Sequence, residues 1–134
     1  MSINAASILI DGTVSTTAGT ATSLKTKTND NSGHRVYLDD SSDLADQTEI
    51  TFSTKEAKVK SDAPSGYTQP RNNLFVRIPF TVPSTGLVTY RTVKVEFADD
   101  IEVTDAQKLS TRVLVAQLLV DSDFTDFWDD QSRA

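Results

Sequence analysis

The chain has 134 residues, and a chain of this length is expected to form a single domain. It contains no cysteine, which excludes disulfide bonds and thiolate-bound metals. Its net charge of −6 argues against non-specific nucleic-acid binding by the chain as a whole. Neither a signal peptide nor a membrane span is expected, because no basic N-terminal region and no long apolar run are present.

The acidic charge is concentrated near the C-terminus. Residues 99–134 contain nine acids and three bases, whereas residues 1–98 contain ten of each. The first part of the chain is therefore neutral overall. A basic face within it is compatible with the acidic total.

The N-terminal part of the chain predicts a β-hairpin followed by a loop, over about residues 1–33. Residues 7–10 form a short apolar strand, and the threonine-rich segment 21–28 suits an exposed edge strand that pairs with it. Residues 29–33 are rich in Asn, Asp, Ser and Gly, which is typical of a loop.

An antiparallel sheet is predicted over residues 34–98. Alternation of apolar and polar residues, with turn residues between the segments, predicts strands at 34–39, 47–59, 72–82 and 87–97. Pro79 cannot donate a ladder hydrogen bond, so it indicates an edge, a bulge or a strand end. The segment Pro83–Gly86 predicts a tight hairpin connection.

A helical arm is predicted over residues 104–130. Thr104 or Asp105 can cap a helix that runs to Val120, and Phe124, Phe127 and Trp128 anchor a second, shorter helix. One helical arm covers little of a sheet face, so we expect the chain to complete its core with a second copy of itself.

The predicted strands have two different faces, because alternate residues point to opposite sides. One face carries Ile50, Phe52, Leu74, Val76, Ile78, Val93, Val95 and Phe97. The other carries Thr51, Ser53, Lys55, Asn73, Phe75, Arg77, Tyr90, Thr92, Lys94 and Glu96. This second face fits two interpretations: an ordinary solvent face, or a nucleic-acid platform with stacking aromatics and phosphate-binding cations.

Other site chemistry is weakly indicated. His34 is the only histidine and has no nucleophile at a recognisable spacing. Asp39, Asp40, Asp43 and Asp46 lack the glycine and glutamate of a helix–loop–helix calcium site. There is no phosphate-binding glycine loop. We therefore expect no enzymatic activity, no cofactor, no metal site and no small-molecule substrate.

The order of these elements resembles the coat proteins of single-stranded RNA bacteriophages, the levivirus type. Four segments are similar to elements of that family. Segment 50–55 resembles a strand with alternating hydroxyl residues and a cation, and segment 77–79 resembles a strand that ends in proline. Segment 90–96 resembles a last strand with a stacking tyrosine, and segment 115–119 resembles the core of the first helix. The resemblance covers most of the chain, from Ser7 to Trp128.

This resemblance implies an α+β fold with an N-terminal β-hairpin, a five-stranded antiparallel sheet and two C-terminal α-helices. It also implies an intertwined homodimer in which the last strands join two sheets into a continuous ten-stranded surface. Dimers would close into an icosahedral shell in the cytoplasm of the bacterial host. The sheet would face the genome inside the virion, and the acidic helices would lie outside.

The resemblance also assigns roles to particular residues. It implies that the inner face binds an RNA hairpin that serves as translational operator and packaging signal, through Thr51, Ser53, Lys55, Asn73, Phe75, Arg77, Tyr90, Thr92 and Lys94. Phe75 and Glu49 depart from the family, which often has basic residues there. The helices would contribute a dimer interface of Leu109, Val113, Ala116, Leu118, Val120, Phe124, Phe127 and Trp128.

A second hypothesis is a non-enzymatic β-rich binding module, such as a fibre or adhesin component. Its sheet face would bind carbohydrate or protein instead of RNA. A capsid protein would purify as large particles with protected RNA, whereas an adhesin would be small and free of RNA.

Overall fold

A computed structural model describes residue 22 and the ranges 24–39 and 46–131 of the chain. The chain divides into two compact units, one ending at Glu102 and the other containing Val103 and the helices that follow. Each unit is described by itself.

The first unit is a five-stranded antiparallel sheet in which each strand pairs with the next one along the chain. The predicted five-stranded sheet followed by C-terminal helices is thus confirmed. Threonine, valine and phenylalanine dominate these segments, as is usual for half-buried strands. The strands are β1 (Leu24–Asp30), β2 (Gly33–Leu38), β3 (Glu49–Lys55), β4 (Arg71–Thr81) and β5 (Val88–Ala98).

The start of this sheet differs from the prediction. The predicted loop 29–33 shrinks to a two-residue turn, so the sheet begins at Leu24 and not at residue 34. The Asp30 carboxylate accepts a hydrogen bond from the Ser32 amide at 2.9 Å, which closes the turn. Gly33 has φ 139°, and a Cβ there would lie 2.9 Å from the Phe52 carbonyl oxygen. The predicted strand 7–10 lies outside the described residues. Its predicted partner, 21–28, overlaps β1, which pairs with β2.

The strand predicted at 47–59 is also shorter than expected. It ends at Lys55, and the segment 56–70 leaves the sheet as a loop closed by a bridge between Val59 and Tyr67. A turn lies at the tip of this loop, where the Gly66 amide donates to the Ala63 carbonyl at 3.0 Å. Pro79 pairs with Tyr90 and lies beyond the last residue of β4 that pairs with β3, which agrees with its predicted position.

The described part of the second unit contains two α-helices, α1 (Asp105–Val120) and α2 (Thr125–Asp130), joined by a 3-10 turn (Ser122–Phe124). Thr104 caps α1 in a capping box with Gln107. The Trp128 indole Nε1 donates to the Leu118 carbonyl at 2.9 Å, which ties α2 to α1. No helix in the described part of the chain is long and apolar enough to cross a membrane.

The hydrophobic core of one chain is small. Val36 is the only hydrophobic residue classed as buried among the described residues, with 5% of its surface exposed. Val36 lies in one row with Ile50, Val76 and Val93 across β2 to β5, yet Val93 remains 49% exposed. The apolar face predicted from the sequence therefore exists but is incompletely buried within a single chain.

Candidate nucleic-acid interface

The pairing register brings the predicted site residues onto one face of the sheet. Directly paired residues share a face. Thr51, Phe75 and Lys94 form one row across β3, β4 and β5. Every second row has the same orientation, so all the predicted positions belong to this face, which we call the polar face: Thr51, Ser53, Lys55, Asn73, Phe75, Arg77, Tyr90, Thr92 and Lys94.

Tyr90 is stacked against a cation. The Arg77 Cζ atom lies 3.6 Å from the centroid of the Tyr90 ring, and Tyr90 is still 46% exposed. The two residues are diagonal neighbours, because Arg77 pairs with Thr92 and Tyr90 pairs with Pro79. A guanidinium plane at this distance covers one face of the ring and offers its own outer surface for stacking.

A second aromatic residue lies near a cation in the adjacent row. The Lys94 Nζ atom is 5.7 Å from the centroid of the Phe75 ring. A depression of about 310 Å³ between β4 and β5 is lined by these two side chains together with Asn73 and Glu96. An apolar ring, a cation and an amide at one depression can together contact a base and its phosphate.

The two acids that lie among these residues are paired with cations. Glu49 accepts a hydrogen bond from Lys27, and Glu96 accepts one from Arg71. The Lys27 hydrogen bond, followed by the charges of Lys27, Arg35 and Arg77, lowers the pKa of Glu49. Both ion pairs reduce the repulsion that these carboxylates would exert on a phosphate.

The predicted site did not include three cations that the structure places near it, Lys27, Arg35 and Arg71. Arg35 pairs with Thr51, and Arg71 pairs with Lys55, which places both on the polar face. Lys27 lies at a register shift in β1 between Thr26 and Thr28, and its side chain reaches Glu49 in β3. Alternation within β2 could have identified Arg35, but the position of Lys27 depends on the bulge.

The remaining candidate chemistry gains no support from the geometry. The His34 Nε2 atom lies 3.0 Å from the Thr26 hydroxyl oxygen, and His34 pairs with Phe52 on the apolar face. No cluster of three or more His, Cys, Asp or Glu side chains suited to a metal occurs in the part of the chain that the structure describes. Asp40 and Asp43 lie outside that part.

The predicted dimer-interface residues belong to the helical unit, and none of them is buried within one chain. Val120 is 77% exposed, Leu109 is 54% exposed and Trp128 is 49% exposed. Leu114 and Leu119 are exposed apolar residues of α1 that the predicted set did not include. The rest of the predicted set is partly exposed: Val113, Ala116, Leu118, Phe124 and Phe127.

Comparison with solved structures reveals the same fold in particle-forming chains. The virus-like particle of bacteriophage GQ-907 matches with a TM-score of 0.82 and 24% identity, covering 99% of this chain and 100% of that chain. The virus-like particle of bacteriophage AVE019 matches with a TM-score of 0.65 and 8% identity, over 84% of this chain and 87% of that chain. The virus-like particle of Beihai levi-like virus 21 matches with a TM-score of 0.58 and 13% identity, over 93% of this chain and 92% of that chain.

No protein-family model matches this sequence, and no curated protein matches it. The resemblance inferred from the sequence is confirmed at the level of the fold. With identities of 24% and below, the structural likeness establishes the architecture alone.

Proposed function

We propose that this protein is the structural subunit of an RNA-containing phage shell. The observation that carries the proposal is the likeness of nearly the whole chain to a chain of the GQ-907 virus-like particle. The small core of the single chain supports the same conclusion, because a subunit that assembles buries its apolar surface against other copies. Assembly would take place in the cytoplasm of the bacterial host.

The proposed building block is a homodimer joined through β5. Among the strands that the structure describes, this one lies at an edge of the sheet and has a neighbour on one side only. An edge strand of eleven residues presents unpaired backbone groups that a second copy can satisfy. Pairing of two β5 strands would create a continuous ten-stranded sheet, and the exposed apolar residues of α1 and α2 would complete the interface.

The polar face is the proposed RNA-binding surface. Tyr90 and the Arg77 guanidinium form a stack on which an unpaired base can be placed, and Phe75 offers a second ring. Lys55 and Lys94 would neutralise phosphates, while hydroxyls of Thr51, Ser53 and Thr92 and the amide of Asn73 would bond base edges or ribose 2′-hydroxyls. An RNA hairpin with unpaired bases fits these groups, and its binding would repress translation and start packaging.

The first test is electron microscopy of the expressed protein, combined with an assay of nuclease-protected RNA in the same sample. We expect closed, uniform shells that contain RNA. A small, RNA-free species that does not assemble when RNA is added would contradict the proposal. It would favour a β-rich fibre or adhesin module.

A further inference from the structure

A second basic surface lies at the end of the sheet, in the loop 56–70 that replaces the C-terminal part of the strand predicted at 47–59. This loop and the adjoining strand ends enclose a depression of about 720 Å³, which is within the range of about 300–1,000 Å³ typical of ligand sites. Its lining includes Lys55, Lys58, Lys60, Tyr67 and Arg71. We call this depression the loop pocket.

The loop pocket is held in shape by hydrogen bonds. The Thr68 amide donates to the Lys58 carbonyl at 2.7 Å, and the Lys58 amide donates to the Thr68 hydroxyl at 2.8 Å. Nearer the tip, the Lys60 amide donates to the Gly66 carbonyl at 2.9 Å. Ser65 donates to the Asp100 carboxylate at 2.5 Å, which fastens the tip to the chain after β5. A loop ordered in this way loses little further entropy when a ligand binds.

The charges of the loop pocket favour an anionic ligand. Lys55, Lys58 and Lys60 form no ion pair within the described residues. Asp100 and Glu102 also line the pocket, and hydrogen bonds from Ser65 and from the Glu102 amide lower the pKa of Asp100, which favours its charged form. The three lysines outnumber these two acids.

The loop pocket also offers an aromatic surface. Tyr67 is 41% exposed and stands among the lysines that line the depression. An exposed ring beside several cations is the combination that binds single-stranded nucleic acid, since bases stack on the ring and phosphates contact the cations. A small inorganic anion would make no use of the ring.

The pocket is continuous with the polar face. Lys55 and Arg71 pair with each other and form the last row of that face, and both also line the loop pocket. An RNA strand leaving the polar face at this row would therefore reach Lys58, Lys60 and Tyr67 without crossing an intervening element.

We propose that the loop pocket is a second nucleotide-binding site, which takes an unpaired nucleotide of single-stranded RNA next to the segment held on the polar face. The base stacks on Tyr67, and Lys58 and Lys60 bind the flanking phosphates. The inference rests on the proposed RNA-binding function. It adds a site that lies off the sheet and binds RNA without requiring a hairpin.

Ultraviolet cross-linking of the unmodified protein to a labelled single-stranded RNA, followed by trypsin digestion, tests the proposal. Cleavage after lysine and arginine places Tyr67 in the peptide Ser61–Arg71 and Tyr90 in the peptide Ile78–Arg91. We expect RNA on both peptides. Cross-links on Ile78–Arg91 alone would refute the loop pocket and leave the proposed function intact. Cross-links on neither peptide would refute RNA binding at both surfaces.

Variants give an independent measurement. The double variant Lys58→Ala/Lys60→Ala should reduce the salt slope of single-strand binding by about 1.4, because each phosphate contact contributes about 0.7. Lys108→Ala/Arg112→Ala, in α1, changes the net charge by the same amount and should keep the parent slope. Equal slopes for both double variants and the parent would overturn the proposal.

The stacking role of Tyr67 has its own control. Tyr67→Ala should weaken single-strand binding about fivefold or more, whereas Tyr67→Phe keeps the ring and should bind like the parent. Parent-like binding by Tyr67→Ala would remove this residue from the site. Circular dichroism of both variants verifies that the loop change leaves the fold intact.

Discussion

The contact between Arg77 and Tyr90 determines how the polar face can receive a base. The guanidinium lies 3.6 Å from the ring centroid, so one face of Tyr90 is already occupied in the single chain. A base can stack on the opposite ring face, or on the guanidinium as the outer layer of a three-membered stack. Either arrangement makes the position of the tyrosine depend on its arginine neighbour.

If the polar face binds an RNA hairpin as proposed, the Tyr90→Ala change should lower the affinity for that hairpin by about 1–3 kcal/mol, because a base loses its stacking surface. Particles should still form, since the change keeps the backbone N–H and C=O groups through which β5 would pair with a second copy. The measurement is a filter-binding titration at fixed salt concentration. Tyr90→Phe is the matched control and should retain most of the affinity. Unchanged binding by Tyr90→Ala would exclude Tyr90 from the site.

At the scale of elements, the ends and pairings of helices and strands rest on a few polar contacts. The Thr104 hydroxyl accepts a hydrogen bond from the Gln107 amide, and the Gln107 side chain accepts one from the Thr104 amide. The Lys27–Glu49 ion pair joins β1 to β3, although β2 lies between them. The capping box stabilises the first turn of α1, and the ion pair adds a side-chain contact to the backbone pairing that places β1 beside β2.

Thr104→Ala should destabilise the protein by about 0.5–2 kcal/mol, because the first turn of α1 loses its capping hydrogen bond. Thermal or urea unfolding of the unassembled protein measures the difference. Thr111→Ala is a matched control, since Thr111 lies in the exposed middle of the same helix and bonds the Gln107 carbonyl at 3.1 Å. Equal losses for both variants would contradict the capping role.

Glu49 should make stability depend on pH. Its pKa is lowered from an ordinary value of 4.5 chiefly by the hydrogen bond from Lys27. A group with a lowered folded-state pKa contributes stability that is present above the unfolded-state pKa and is lost as the pH falls through the folded-state pKa. The free energy of unfolding should therefore decrease as the pH falls below about 4.5.

The comparison of Glu49→Gln with the parent isolates this contribution. Urea unfolding at about pH 6.5 and pH 3.5 should show a smaller pH-dependent loss for Glu49→Gln, because the variant has no charge at position 49 to lose. Glu56→Gln provides the control, since Glu56 forms no ion pair within the described residues. An equal decrease in the free energy of unfolding between the two pH values in the parent and in Glu49→Gln would rule out the ion pair as the source of that decrease.

At the scale of the whole molecule, the single chain exposes more apolar side chains than a stable monomer normally does. Val93 and Phe52 of the sheet are 49% and 43% exposed, and Trp128 of the helical unit is 49% exposed. Among the described hydrophobic residues only Val36 is classed as buried. Assembly would therefore supply a large part of the stability of this protein.

Trp128→Ala should weaken the proposed dimer and lower its thermal stability. The change removes a large exposed ring that we place at the dimer interface, as well as the bond to the Leu118 carbonyl. Light scattering after gel filtration measures the fraction of protein that is dimeric. The dependence of Tm on protein concentration shows how much dimer formation stabilises the fold. Asp129→Ala, at the exposed neighbouring position in α2, serves as the control. A stable dimer with the parent Tm would show that the interface assignment is wrong.

The amino-acid sequence by itself determined the two faces of the strands, the capped helix and the separation of charge. These properties are periodic or local: alternation assigns Phe75, Arg77 and Tyr90 to one side, and Thr104 caps its own first turn. Only the tertiary structure decided which strands pair and in what register, where Lys27 reaches Glu49, and that residues 56–70 form a pocket around Tyr67. Those features depend on contacts between residues far apart in the chain, and local periodicity carries no information about such contacts.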